Sequence, residues 1–286
     1  MAFDRKHYFT AANGAVISAR EAGYGEDVLL FHCSASSGKQ WDGLTDLLDD
    51  QFHAVAPDMM GYGNSESWPG RGPLTLVEQA RTMLESLGDD SYGVHLVGHS
   101  CGGAVAMRAA LELGSRLRSL TLIEPSAFHL LRRGDPGEIG YWSEISNVAS
   151  DVLHGVRSGD VHGGMARFVD YWSGDGAWSV LRDDVQDRLS EQLGTVAVDF
   201  AALFSETSDI ADFAKIKAPV LILQGSHSPA PSRRLCTLLN AALPNSRLQT
   251  IEGAGHMSPL SHAMAVNARI RDHLFLHGAS PQAVAA

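Results

Sequence analysis

The sequence predicts an α/β fold: a mostly parallel central sheet covered by helices on both faces, with a helical cap inserted into it. Three observations lead there. Short apolar runs alternate with helical patterns at both ends of the chain. Runs such as DVLLF (27–31) and LTLI (120–123) are apolar at nearly consecutive positions, as in strands buried on both faces. The alternation then stops from about Ser126 to Phe213, where helical patterns rich in aromatic residues take over. With 286 residues the chain can hold one large core plus an insertion. The expected division is a core of residues 1–125 and 213–286, with a cap of residues 126–212 inserted after the sixth core strand.

The elements follow in order. His7 to Glu21 reads as two strands around Ala12-Asn13-Gly14, because Asn-Gly favours a hairpin. Asp27 to Phe31 is a strand, followed by the loop HCSASSG. Gln40 to Asp50 has Trp41, Leu44, Leu47 and Leu48 on one helical face. Phe52 to Pro57 is a strand that opens into the turn-rich DMMGYGNS. Thr75 is placed to cap a helix reaching about Leu87, with Glu78 three residues on as in a capping box. Tyr92 to Val97 is a strand, Cys101 to Leu113 an Ala-rich helix, and Leu117 to Ile123 a strand. In the cap, Met165, Phe168, Val169 and Trp172 share a helical face. Tyr141, Trp142, Trp178, Phe200 and Phe204 lie in the same region. Such residues pack helices together, and as a group they can line an apolar pocket. The rhythm returns with a strand at Pro219 to Gln224, a helix near Ser232 to Leu243 and a strand near Arg247 to Ile251. A last helix spans roughly Ala263 to Leu276, and the tail GASPQAVAA is expected to fray.

Composition narrows the function. The formal net charge of −11 opposes nonspecific binding to nucleic acid or to anionic membranes. MAFDRKHYFT lacks the apolar segment of a secretory leader, and no apolar run is long enough to span a bilayer. Three widely spaced cysteines, Cys33, Cys101 and Cys236, make a poor disulfide framework and suit a reducing cytoplasm. Neither CxxC nor HExxH occurs, so no metal is expected. GHSCGG lacks both the phosphate-loop lysine and the G-x-G-x-x-G order, so no nucleotide cofactor is expected either.

The chemistry centres on LVGHSCGG, residues 96–103. Ser100 sits where a strand hands over to a helix, between Gly98 and Gly102. That pattern allows a sharp turn that lifts the serine hydroxyl above the sheet. The helix start presents free N–H groups, and that of Cys101 would face a carbonyl oxygen as it gains charge.

Together with three further motifs, this turn resembles the α/β-hydrolase fold family across nearly the whole chain. HCSASSGKQW (32–41) is similar to the loop that supplies the second oxyanion donor. DMMGYGNS (58–65) is similar to the D-x-x-G-x-G-x-S loop. GAGH (253–256) is similar to the loop that carries the catalytic histidine. The resemblance implies Ser100 as nucleophile, His256 as base and acid, and the N–H groups of Cys101 and Ser34 as oxyanion donors. His99, Cys33, Trp142, Phe168 and Trp172 are candidate pocket residues. Asp58 is expected to accept backbone hydrogen bonds, and His262 to be structural.

The chain departs from the family twice. Cys33 stands where many relatives have glycine. Ser228 stands where relatives most often carry the triad acid, in GSHSPAP. Some relatives place the acid after the preceding core strand, and there this chain offers Glu124. Asp209 and Asp212 are weaker substitutes. The expected function is a serine esterase that cleaves a small or medium, partly apolar carboxylic ester through an acyl-enzyme. The alternatives are a C–C bond hydrolase of a ring-cleavage product, a thioesterase, a lactonase and a non-catalytic ligand-binding member. Cofactor-free haloperoxidases share the constellation. Relatives that open epoxides or remove halogens carry Asp in place of the serine. Cys33 and Cys101 flank the oxyanion donors, so a bulky thiol reagent is expected to block activity. The partner is a small molecule, and the sequence is silent on oligomeric state.

Overall fold

A computed structural model describes residues 5–48, 51–88, 91, 93–133 and 136–278. Strands β1 (Arg5–Thr10) and β2 (Val16–Gly23) form the antiparallel hairpin expected around Asn13-Gly14. β3 (Glu26–Phe31), β4 (Phe52–Pro57), β5 (Val94–His99) and β6 (Leu117–Ile123) follow. β7 (Val220–Gly225) and β8 (Ser246–Ile251) complete an eight-stranded sheet in the order β1-β2-β4-β3-β5-β6-β7-β8. From β4 to β8 every pairing is parallel.

The apolar runs are continuous because the sheet is buried on both faces. Leu29, Phe31, Leu96, Leu120, Leu122 and Ile222 enter one core. Their neighbours Val28, Leu30, Val97, Ile123, Leu221 and Leu223 enter the other. A strand alternates its side chains between faces, so two cores need apolar residues at every position.

The connections flank this sheet. α2 (Leu76–Leu84) is capped by the Thr75 hydroxyl, which accepts the Glu78 N–H at 3.2 Å. It stops before the expected Leu87. The helix expected over 40–50 is much shorter: a 3-10 turn (Gly38–Trp41) leads into a single α turn, α1 (Asp42–Thr45). Trp41, Leu44 and Leu48 are buried as expected, while Leu47 is only half-buried. A helical face needs only the spacing, and a short turn supplies that as well. Tyr92 and the tail from residue 279 lie outside the described residues.

α3 (Cys101–Leu113) leaves the end of β5. After β6 come α4 (Pro136–Ser158), α5 (Val161–Ser173), α6 (Asp183–Ser190), α7 (Leu193–Ser205) and α8 (Ile210–Phe213), then β7. This helical insertion is the cap. The core closes with α9 (Ala230–Ala242), α10 (Ser258–Ser261) and α11 (Ala263–His277).

Candidate active site

β5 ends at His99, and Ser100 turns the chain into α3 with φ 56° and ψ −121°. A non-glycine residue holds such a backbone only when its surroundings enforce it. Here Ser100 N–H donates to Ile123 O at 3.0 Å, and Ser100 O accepts the N–H groups of Gly103, Ala104 and Ser126. The flanking glycines are required by space. A Cβ at Gly98 would sit 2.4 Å from Gly102 O, and one at Gly102 would sit 2.3 Å from His32 O.

At the end of β6, Glu124 also has a positive φ, 44°. Its carboxylate is wholly buried and fully engaged. Oε2 accepts from His256 Nδ1 at 2.7 Å. Oε1 accepts Gly225 N–H at 2.6 Å and also the Ser228 hydroxyl. His256 Nε2 lies 2.9 Å from Ser100 Oγ. A hydrogen-bonded line thus runs from Ser100 through His256 to Glu124. Ser228, at the usual acid position, supports the carboxylate that arrives from the neighbouring strand. Asp209 and Asp212 are occupied elsewhere, as each other's capping partners at the start of α8.

The two residues expected to donate to an oxyanion, Cys101 and Ser34, lie at the start of α3 and in the loop after β3. Cys101 is the first residue of α3, where the helix offers no acceptor for its N–H. Cys33 N–H is taken by Gln40 Oε1 at 3.1 Å. His32 clamps this loop: Nδ1–H donates to Cys33 O at 2.7 Å, and Nε2 accepts Met59 N–H at 2.9 Å. Burial pushes its pKa down to about 4, so it stays neutral. Asp58 accepts the N–H groups of Gly38 and Asn64, which ties the two loops together.

The other candidates separate. His99 turns into packing. It is wholly buried and its Nε2–H donates to His256 O at 2.9 Å, holding the backbone of the histidine. Burial and the adjacent His256 keep its pKa well below the ordinary value. Trp172 lies against the His256 ring, 4.1 Å between centroids and tilted by 34°. Phe168 packs edge-on to Trp172. Trp142 stands at the far end of an aromatic row that continues through Phe200 and Phe204, 4.5 Å from Phe204. His262 joins α10 to α11 and pairs with Ser261 Oγ.

The thiols contradict one expectation. Cys33 and Cys101 are each 3% exposed, and burial pushes the Cys33 thiol up to about 12 and that of Cys101 well above normal. Neither is placed to meet a bulky reagent.

Residues 28–263 match the family model described as alpha/beta hydrolase fold. The chain belongs to the alpha/beta hydrolase fold family. Within that family it is 27% identical, over 222 residues, to a soluble epoxide hydrolase from Corynebacterium sp. (strain C12). The match covers 76% of this chain and 69% of that protein. It is 26% identical over 256 residues to a pimeloyl-[acyl-carrier protein] methyl ester esterase from Aeromonas hydrophila, covering 86% and 94% of the two chains. A thermophilic esterase from Thermogutta terrifontis, solved with malate bound, superposes with a TM-score of 0.74 at 22% identity. That match covers 96% of this chain and 100% of the other, and shows a shared fold.

Two features of this hydrolase-fold site escape sequence reasoning. The Ser126 hydroxyl lies 3.2 Å from Ser100 Oγ, and nothing in EPSAF marks it. Asp199, on α7, is buried among the loops that meet the elbow. It accepts from Ser34 Oγ at 2.5 Å and from Tyr62 Oη at 2.6 Å. A lone acid within the apolar TVAVDFAALF was the available sign.

Proposed function

We propose that this chain is a serine hydrolase that cleaves a small or medium, partly apolar carboxylic ester through an acyl-enzyme. The observation that carries this is the unbroken line Ser100 Oγ–His256 Nε2 at 2.9 Å and His256 Nδ1–Glu124 Oε2 at 2.7 Å. His256 takes the proton as Ser100 Oγ attacks the ester carbon. The oxygen gains charge towards the N–H groups of Cys101 and Ser34. His256 then returns the proton to the departing alkoxide. Water, deprotonated by the same histidine, releases the acid and restores Ser100. Glu124 fixes the His256 tautomer and stabilises the imidazolium formed in each step.

Residues 1–125 and 213–286 supply the triad, and residues 126–212 supply the aromatic side. Trp172 stands against the His256 ring with Phe168 and Phe200 behind it, which makes that side apolar and favours a partly apolar substrate. The likeness to a methyl ester esterase supports an ester, and a hydroxyl at position 100 favours acyl transfer. Among the described residues no helix is long and apolar enough to cross a membrane. Three free, buried cysteines support a cytoplasmic setting.

The test is hydrolysis of p-nitrophenyl esters, acetate through octanoate, by wild type, Ser100→Ala and Glu124→Gln. Ser100→Ala is expected to lower kcat by about 10^4-fold or more, and Glu124→Gln by about 10^3- to 10^4-fold. Retained turnover by Ser100→Ala would sink the proposal.

A further inference from the structure

Both proposed oxyanion donors share one feature beyond their N–H groups: their side chains meet the same carboxylate. The Ser34 hydroxyl donates to Asp199 Oδ2 at 2.5 Å. The Cys101 thiol lies beside the same group, whose charge helps to push its pKa up. The Tyr62 hydroxyl, from the loop after β4, makes the third contact at 2.6 Å. Asp199 itself belongs to α7, in the cap. A single cap carboxylate therefore gathers three core loops at the edge of the elbow.

The cost of this arrangement argues that it is functional. Asp199 is 7% exposed. The titratable groups that face it, Tyr62, Cys101 and Cys33, are neutral, and each has its pKa raised by burial and by the Asp199 charge. No positive charge offsets it among these contacts, so burial pushes the carboxyl up to about 6 despite its hydrogen bonds. A carboxylate held without a cation is poor material for stability. What it does provide is direction, because its hydrogen bond from Ser34 Oγ fixes the rotamer of a residue whose N–H is proposed to point at the oxyanion.

We propose that Asp199 is a positioning residue for oxyanion stabilisation: from the cap it holds Ser34 and Cys101 so that their N–H groups converge, which makes the oxyanion site complete only when the cap is seated. This rests on the serine-hydrolase reading above. Loss of Asp199 then weakens binding of the transition state more than binding of the ester, because the donors are loosened rather than removed.

The test compares wild type, Asp199→Ala, Asp199→Asn and Ser34→Ala. Circular dichroism confirms folding. Two readouts follow: kcat and KM on p-nitrophenyl butyrate, and the rate at which a fluorophosphonate labels Ser100, read by mass spectrometry. In the labelling step Ser100 Oγ forms a bond to phosphorus, fluoride leaves, and the phosphoryl oxygen occupies the oxyanion site. Asp199→Ala is expected to lower kcat and the labelling rate together by about 10- to 100-fold, with KM changed by less than about 3-fold. Asp199→Asn keeps an acceptor oxygen and is expected to recover to within about 5-fold of wild type. Ser34→Ala retains its N–H and loses one contact, so it gives a smaller loss in the same direction and serves if Asp199→Ala does not fold. Labelling of Asp199→Ala at the wild-type rate overturns the proposal. So does a raised KM at constant kcat, or an Asp199→Asn variant as slow as Asp199→Ala. If wild type is not labelled, or Ser100→Ala is labelled equally, the serine-nucleophile reading itself has failed and takes this proposal with it.

Discussion

The Ser228 hydroxyl donates a hydrogen bond to Glu124 Oε1, the carboxylate oxygen that His256 does not use. The position where relatives most often carry the acid has become its support. β6 and β7 are parallel neighbours, with Ile123 beside Leu223, so the ends of the two strands face the same histidine. A carboxylate can reach His256 from either.

That equivalence makes the acid movable. Glu124→Ala is expected to lose about 10^3- to 10^4-fold in kcat. Adding Ser228→Asp to it should regain at least about 10-fold. Ser228→Ala alone leaves the Gly225 N–H on Oε1 and should cost no more than about 10-fold. Steady-state kinetics on one ester would check all three, and a double variant no better than Glu124→Ala would count against the geometry.

Trp172 presents its face to the ring that becomes cationic in each half-reaction. An indole face stabilises such a cation by roughly 1–2 kcal/mol when water is excluded. Trp172→Leu is therefore expected to lower kcat by about 5- to 30-fold, and Trp172→Phe by less than about 3-fold. Equal losses in the two variants would assign Trp172 to packing alone.

Acid stability is expected to carry two opposed contributions. His32 and His95 are held neutral by burial, each with a pKa near 4 rather than 6.5. Between pH 6.5 and 4 the unfolded chain takes up protons that the folded chain refuses, so their contribution falls as the pH falls. Asp199 acts in reverse. Burial raises its pKa from 3.8 to about 6, so the folded state keeps a proton that the unfolded state releases between those values. Its contribution falls as the pH rises through that window. Asp199→Asn should therefore gain stability relative to wild type from pH 4 to pH 7, by about 1–3 kcal/mol. It should also lose stability more steeply on acidification. Urea unfolding at stepped pH measures both, and parallel curves for the two proteins would refute the assignment.

Native protein at pH 8 should resist thiol reagents. Cys33, Cys101 and Cys236 are all buried, and each thiol is pushed above its ordinary pKa, chiefly by burial. Counting modified cysteines by mass spectrometry should give none in the folded state and three in denaturant. Rapid labelling of Cys101 in folded, active protein would contradict its place beneath the elbow.

The core strands and α3 were legible because two local rules coincide there: apolar runs for strands buried twice, and an Ala-rich run after a glycine turn. Ser100 and His256 were legible because their loops carry motifs. Glu124 was reachable by asking what could replace Ser228. The short α1 was not legible, because Trp41, Leu44 and Leu48 satisfy a helical stripe without a helix around them. Asp199 and Ser126 were hidden for another reason. Each acts across a long sequence gap or through a fold of the backbone, where no local spacing records the contact. The side chain of His99, next to the elbow, can turn towards either the substrate or the partner loop, and only the position of His256 O decides.

Ser100 is 7% exposed, His256 1% and Glu124 not at all. An ester reaches a hydroxyl this covered only through a narrow opening or a motion of the cap, so entry of substrate and exit of product are expected to be steps of their own. For good leaving groups this passage, rather than bond breaking, is expected to become the clock of the enzyme. Turnover should then depend on solvent viscosity and become indifferent to the acidity of the departing alcohol, whereas a sluggish alkyl ester, limited by chemistry, should ignore added glycerol.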